Sequence, residues 1–193
     1  WLEQRKPGET VDVLGPLGRP FRPIPGRVPV LVAGGRGIAP LIFLADQAGE
    51  ALPDGILLYG ARDRSAIFPA EGCPYPVYRA TLDGSIGHRG TVLDLLRDLL
   101  GHGAVRPEAS ALYACGPLPM LAALARIALD HAMPAQVSVE TLFGCGTGIC
   151  AGCAIPIRAE PALGEDPFGR YAFACSDGPV FEASRIDWEG VRE

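Results

Sequence analysis

No run of about eighteen apolar residues occurs in the 193-residue sequence, so no transmembrane helix is expected. The N-terminus shows no basic stretch leading into an apolar one, and no signal peptide is expected either. A basic excess is also missing. Lys and Arg total 17 against 22 Asp and Glu, giving a net charge of −5 and a pI near 5.2, which argues against nucleic-acid or membrane-surface binding. The sequence holds only 3 histidines, His88, His102 and His131. They are scattered without metal-ligand spacing and read as solvated side chains. No Ser/His/Asp arrangement and no isolated carboxylate pair points to hydrolysis. There is no internal repeat and no low-complexity tract. The chain opens on Trp1 rather than Met, so a segment upstream of it is expected.

What the sequence does contain is apolar material for a core, at 48% hydrophobic and 20% charged, together with 25 Gly and 19 Pro that signal many turns. The length suits one domain with a small appendage, or a truncated two-domain protein. Residues 1–27 are punctuated by Pro and Gly, with one alternating stretch, Thr10-Val11-Asp12-Val13-Leu14, that reads as a strand. They are expected to be the end of a β domain and a linker.

From Val28 the pattern becomes buried strands alternating with helices. Strands are expected at 28–33, 56–59, 76–80, 111–114 and, last, 136–139. Helices are expected at about 39–51, at 92–100 with Thr91 as N-cap, and at about 119–131. Continuous apolar strands separated by helices imply a parallel sheet covered on both faces, a nucleotide-binding type of α/β architecture. After Glu140 the periodicity stops. Residues 141–193 hold a cysteine cluster, two glycine-rich turns and an Asp/Pro loop, which fits a small metal-nucleated module. The expected organisation is therefore 1–27, 28–140 and 141–193.

Six cysteines could form three disulfides in a secreted protein. The chain is too rich in core to need them, and four crowd into its last quarter, so thiolate metal ligands in a reducing cytoplasm read better. Cys145, Cys150, Cys153 and Cys175 follow the C-x4-C-x2-C…C pattern of plant-type [2Fe–2S] ferredoxins. Three sulfurs from one tight loop must converge on a small cluster, and Gly144, Gly146, Gly148 and Gly152 permit the turns and leave amides free to face sulfur. A zinc site is the rival metal reading, but zinc prefers paired C-x2-C knuckles and only one such pair is present. A loop of buried thiols is the reading without metal.

Two further motifs lie at strand ends. Gly34-Gly35-Arg36-Gly37-Ile38-Ala39-Pro40 joins a strand to a helix, where glycines let a dinucleotide pyrophosphate approach the backbone and the helix N-terminus supplies positive charge. It departs from G-x-G-x-x-G, and a tight strand–helix turn with no ligand is the plain alternative. Cys115-Gly116-Pro117 ends a later strand on the same edge, where open α/β sheets bind ligands. Cys115 is either an inert core thiol or a wall of a nicotinamide pocket. Cys73 reads as a structural or exposed loop residue.

In this order, these motifs together with Tyr59-Gly60-Ala61-Arg62 resemble the ferredoxin-NADP⁺ reductase superfamily. Ser138-Val139-Glu140 running into Cys145, and the ending Cys175-Ser-Asp-Gly-Pro-Val-Phe181, resemble its electron-transfer subunits of type 1B dihydroorotate dehydrogenase. The resemblance implies a reductase-like nucleotide-binding domain with a C-terminal [2Fe–2S] module, NAD(H) bound at the sheet edge by residues 34–37, 39–40 and 115–117, and FAD in the complete protein. It implies a partner, the FMN-containing catalytic subunit of dihydroorotate dehydrogenase, in a hetero-oligomer serving pyrimidine synthesis. The family's N-terminal FAD barrel, with its Arg-Pro-x-Ser motif, is represented here only by a remnant that includes Gly15-Pro16-Leu17-Gly18. Arg36 stands where relatives often have a smaller or uncharged residue, which leaves NADH or NADPH open. A small subunit of an NADH-dependent ferredoxin:NADP⁺ oxidoreductase, an electron-transfer subunit of a sulfite reductase or hydrogenase, and a non-enzymatic ferredoxin-like carrier are the alternatives.

Overall fold

A computed structural model describes residues 1–49, 54–158 and 170–191. The end of the expected first helix, at 50–51, and the Asp/Pro loop within 159–169 lie outside the described residues.

The apolar stretches form a central sheet. Its strands are β1 (Val28–Gly34), β2 (Ile56–Ala61), β3 (Val77–Thr81), β4 (His88–Arg89), β5 (Ser110–Cys115), β6 (Ala135–Ser138) and β9 (Val180–Glu182). The spatial order is β4-β3-β2-β1-β5-β6-β9. Pairing is parallel from β4 through β6, with Val30 beside both Ile56 and Leu112. Helices α1 (Ile38–Ala48), α2 (Val92–Gly101) and α3 (Leu118–Asp130) make the crossovers. Every residue of β5 is buried, and β1 is buried from Pro29 onward. This explains why these strands read as unbroken apolar runs rather than alternating ones.

The core is split by the sheet. One face packs Leu31, Leu57, Tyr59 and Tyr113 against Leu41 and Leu44 of α1. The other packs Val32, Leu58 and Leu112 against Leu96 of α2 and Leu121 and Leu124 of α3, and this cluster runs on through Cys153, Ile155, Phe181 and Ile186. The expected Thr91 cap of α2 is present, and Asp94 completes it reciprocally. Thr91 Oγ1 accepts from the Asp94 amide at 3.1 Å, and Asp94 Oδ2 accepts from the Thr91 amide at 2.9 Å.

Three sequence expectations are corrected. Thr10–Leu14 forms no strand: no described segment pairs with it, and Val13 and Leu14 stand 86% and 71% exposed. The strand at 135–138 is not the last one. β7 (Ala154–Pro156) and β8 (Tyr171–Phe173) form a small antiparallel ribbon, and β9 returns to pair antiparallel with β6, Val137 opposite Phe181. Strands of three residues are too short for periodicity to register. The sheet is therefore mixed at one edge, and the last fifty residues are stitched to it rather than trailing from it. His88 is also not simply solvated. It lies in β4, half-buried, with Nδ1 3.5 Å from Asp98 Oδ2.

Candidate functional site

Two sites share the carboxyl edge of the sheet. The first is a shallow cavity of about 280 Å³ where β1, β2 and β5 end. Gly34, Gly35, Gly60, Arg62, Pro117 and Met120 are among its walls. Gly37, at the end of the turn after β1, is buried against β5. A Cβ there would collide with the Cys115 carbonyl and the Gly116 amide, so only glycine lets the two turns close on each other. Arg36, Ala39 and Pro40 are exposed on the turn and on the first turn of α1. They do not line the cavity.

Neither α1 nor α3 has a side chain capping its N-terminus, in contrast to α2 with Thr91. Uncapped amides and the helix dipoles at the ends of β1 and β5 are what a pyrophosphate needs. Arg62 adds a guanidinium, whose Nε donates to Asp63 Oδ2 at 2.8 Å. Asp63 is held down at about 2 by the Ser65 hydroxyl and by Arg62, and its Oδ1 caps the turn at 64–66. Cys115 is buried. Desolvation, then the negative Glu140, push its thiol up to about 11 against a bond with Ser138. It is a neutral packing thiol whose carbonyl, not its sulfur, meets the glycine turn. Sequence reasoning missed Thr91, Val92 and Met120 as cavity walls, since nothing in their local pattern distinguishes them from ordinary helix residues.

The second site follows directly from β6. The chain leaves Ser138, passes the exposed Leu142 and Phe143 and enters the loop carrying Cys145, Cys150 and Cys153. Cys153 and Cys175 meet with sulfurs 3.2 Å apart. Two thiolates on one tetrahedral ion with bonds of about 2.3 Å are similarly close, within about half an ångström. Cys145 Sγ accepts from the amides of Thr147 and Cys150, both at 3.4 Å. Those amides, that of Cys150 foremost, pull its thiol down to about 5. The Gly148 amide donates to Cys175 Sγ at 3.2 Å, yet the neighbouring Cys153 thiol holds the Cys175 pKa above its ordinary value. Cys150 Sγ lies at the mouth of the loop beside Gly144 and Gly152. Among the described residues, no three thiol, imidazole or carboxylate groups gather tightly enough for a single ion. The thiols instead stand as a touching pair and two flanking members, with amides already turned to sulfur. That donor set fits a two-iron cluster, in which each iron takes two thiolates.

Residues 1–27 contain no strand, and Trp1, Leu2, Val13 and Leu14 are exposed.

Comparison with known proteins places the chain among proteins of known kind. Residues 140–187 match the iron–sulfur cluster binding domain of dihydroorotate dehydrogenase B. The NADH-dependent reduced ferredoxin-NADP oxidoreductase superposes over 97% of this chain and 64% of its own, with a TM-score of 0.77 at 30% identity. The ferredoxin reductase of carbazole 1,9a-dioxygenase superposes over 59% of this chain with a TM-score of 0.50 at 25% identity. The fold is thus that of the FAD- and NAD-binding ferredoxin reductases, extended by an iron–sulfur domain. Among curated proteins, the electron transfer subunit of dihydroorotate dehydrogenase B (NAD(+)) from Desulforamulus reducens is 36% identical, covering 97% of this chain and 70% of the relative. The subunit of that name from Bacillus caldolyticus is 37% identical, covering 96% and 68%. The chain belongs to the family of dihydroorotate dehydrogenase B electron-transfer subunits. No described helix is long and apolar enough to cross a membrane.

Proposed function

We propose that this chain carries electrons between a nicotinamide dinucleotide at the sheet edge and a dihydroorotate dehydrogenase catalytic subunit, through a [2Fe–2S] cluster on Cys145, Cys150, Cys153 and Cys175. The observation that carries the reading is the thiol arrangement at the end of β6. Cys153 and Cys175 touch, and Cys145 and Cys175 each already accept backbone amides.

Residues 28–140 are the nucleotide-binding domain in this reading, and 141–193 the cluster module. Gly34, Gly35 and Gly37 with Gly116 and Pro117 receive the pyrophosphate, helped by the amides of α1 and α3. Arg36 and Pro40 border that turn from outside, and Cys115 fixes its depth through its carbonyl. Toward the cluster, the Thr147, Gly148 and Cys150 amides hold negative charge on sulfur, which favours ligation and tunes potential. A [2Fe–2S] cluster, when bound, accepts single electrons at low potential, roughly −400 mV in plant-type sites. A nicotinamide gives two electrons together, and a flavin standing between it and the cluster would convert them to single electrons. Leu142 and Ile149, 86% and 85% exposed beside the ligands, give a partner subunit an apolar face to dry the cluster.

The test is reconstitution. The family's NADH-dependent reduction of orotate should appear when the chain, in its flavin-loaded protein, is combined with the catalytic subunit, and should be lost with Cys150→Ser. Orotate reduction at wild-type rate by the Cys150→Ser protein contradicts the reading. The likeness to the NADH-dependent ferredoxin-NADP oxidoreductase favours one alternative, the small subunit of such an enzyme. Electron delivery to a ferredoxin:NADP⁺ partner, with none to the orotate-reducing subunit, would select it.

A further inference from the structure

The segment 17–24 has no regular structure, yet it touches both the cluster loop and the central sheet. Leu17 reaches the cluster loop, its Cδ1 standing 3.9 Å from where a Cβ on Gly146 would lie. Gly18, at φ +74, is pressed against the turn that carries Cys175. A Cβ there would fall 2.6 Å from the Gly178 carbonyl oxygen and 3.4 Å from that of Cys175. The Arg19 amide donates to the Gly178 carbonyl, and Arg19 bridges to Pro179. Farther along, the segment is gripped by two side chains of the sheet. Gln136 accepts from the Arg22 amide at 2.9 Å and donates to the Arg22 carbonyl at 3.0 Å. Tyr113 Oη accepts from the Ile24 amide at 2.8 Å, and its ring meets Phe21 edge-on at 6.1 Å.

Gln136 is a physical oddity: an amide side chain only 5% exposed in a strand otherwise built of apolar and small residues. Burying an amide is costly unless it is bonded on both sides. Here it mimics the missing neighbour of an irregular backbone, and its Nε2 also donates to Glu182 of β9 at 3.1 Å. Tyr113 and Gln136 are register partners on β5 and β6, so the two grips sit side by side.

We infer that residues 17–24 are a strap that positions the cluster-bearing turn against the nucleotide sheet, with Gly18 as its seat on the Cys175 turn and Gln136 as its anchor. The strap rests on the reading of Cys175 as a cluster ligand. Gly18 and Gln136 are positioning residues, since neither touches the ligand sulfurs. The strap holds the 175–178 turn through Gly18 and Arg19 while the Gly148 amide donates to Cys175 Sγ, so it sets how squarely that amide meets sulfur.

The experiment compares Gly18→Ala, Gln136→Leu and Tyr113→Phe in the complete protein, the last keeping the ring and removing only the acceptor for Ile24. Three readouts are taken: amide exchange across 174–178, iron release to a chelator, and the EPR signal of the reduced cluster. Freed of its anchor, the Gln136→Leu protein should exchange the 174–178 amides and release iron about tenfold faster, as expected for the loss of the two hydrogen bonds that Gln136 makes to Arg22. Tyr113→Phe should do the same to a lesser degree. Gly18→Ala should bind iron with an altered g-anisotropy. Wild-type exchange, release and EPR in Gln136→Leu, with only the Arg22 amide exposed, would overturn the strap. If the wild-type protein takes up no iron, the cluster assignment falls instead, and the exchange at 174–178 still decides the strap.

Discussion

The nucleotide edge and the cluster loop both place cysteines within reach of strand ends, and they treat them in opposite ways. Cys115 ends β5, buried, with its pKa raised to about 11 by desolvation and by Glu140. Cys145 stands exposed, with its pKa lowered to about 5 by the Cys150 and Thr147 amides. One thiol is packing material and the other is poised as a ligand. The difference comes from the backbone around each sulfur. A regular strand spends its amides on neighbouring strands. A glycine-rich loop has amides left over to give to sulfur.

Alkylation of the cluster-free chain should expose this contrast most strongly. The thiolate is the reacting form, so Cys145 reacts at any pH above about 5 while Cys115 stays protonated until about 11. Iodoacetamide at neutral pH should label Cys145 at least roughly a hundredfold faster than Cys115, read by peptide mass spectrometry. Equal labelling would erase the distinction between the two regions.

A side chain at Gly37 should damage the nucleotide edge alone. Gly37→Val drives a branched side chain into the Cys115 carbonyl and the Gly116 amide. It should cost roughly 3 kcal/mol in urea unfolding of the sheet and abolish nicotinamide binding. Iron content per chain should not change. Parallel loss of iron would mean that the two regions fold as one unit. A smaller effect is expected at the α2 cap. Thr91→Ala removes the oxygen that accepts from Asp94 and should cost about 1 kcal/mol, again with the cluster unaffected.

The two regions also differed in how far the sequence revealed them. The sheet was legible because β1, β2 and β5 are buried on both faces, so their residues had to be apolar without interruption. Thr91 announced the start of α2 as an N-cap, and the structure adds Asp94 as its reciprocal partner. The cluster ligands were legible through spacing alone, since three thiols in nine residues satisfy few other structures. What could not be read were features made by distant partners. Thr10–Leu14 has the alternation of a strand but nothing to pair with. β7, β8 and β9 are each three residues long and exist only because a partner strand lies alongside. Gln136 did carry a signal, an amide in a strand that had to be buried. Its partner is the backbone of Arg22, 114 residues away, and no local pattern points there.

The central claim is that four thiols hold a two-iron cluster, and elemental analysis tests it most directly. Protein purified without oxygen should contain about two iron and two sulfide per chain, give a rhombic EPR signal on reduction, and lose all three in Cys175→Ser while the sheet stays folded. Stoichiometric zinc with no iron or sulfide would contradict the account.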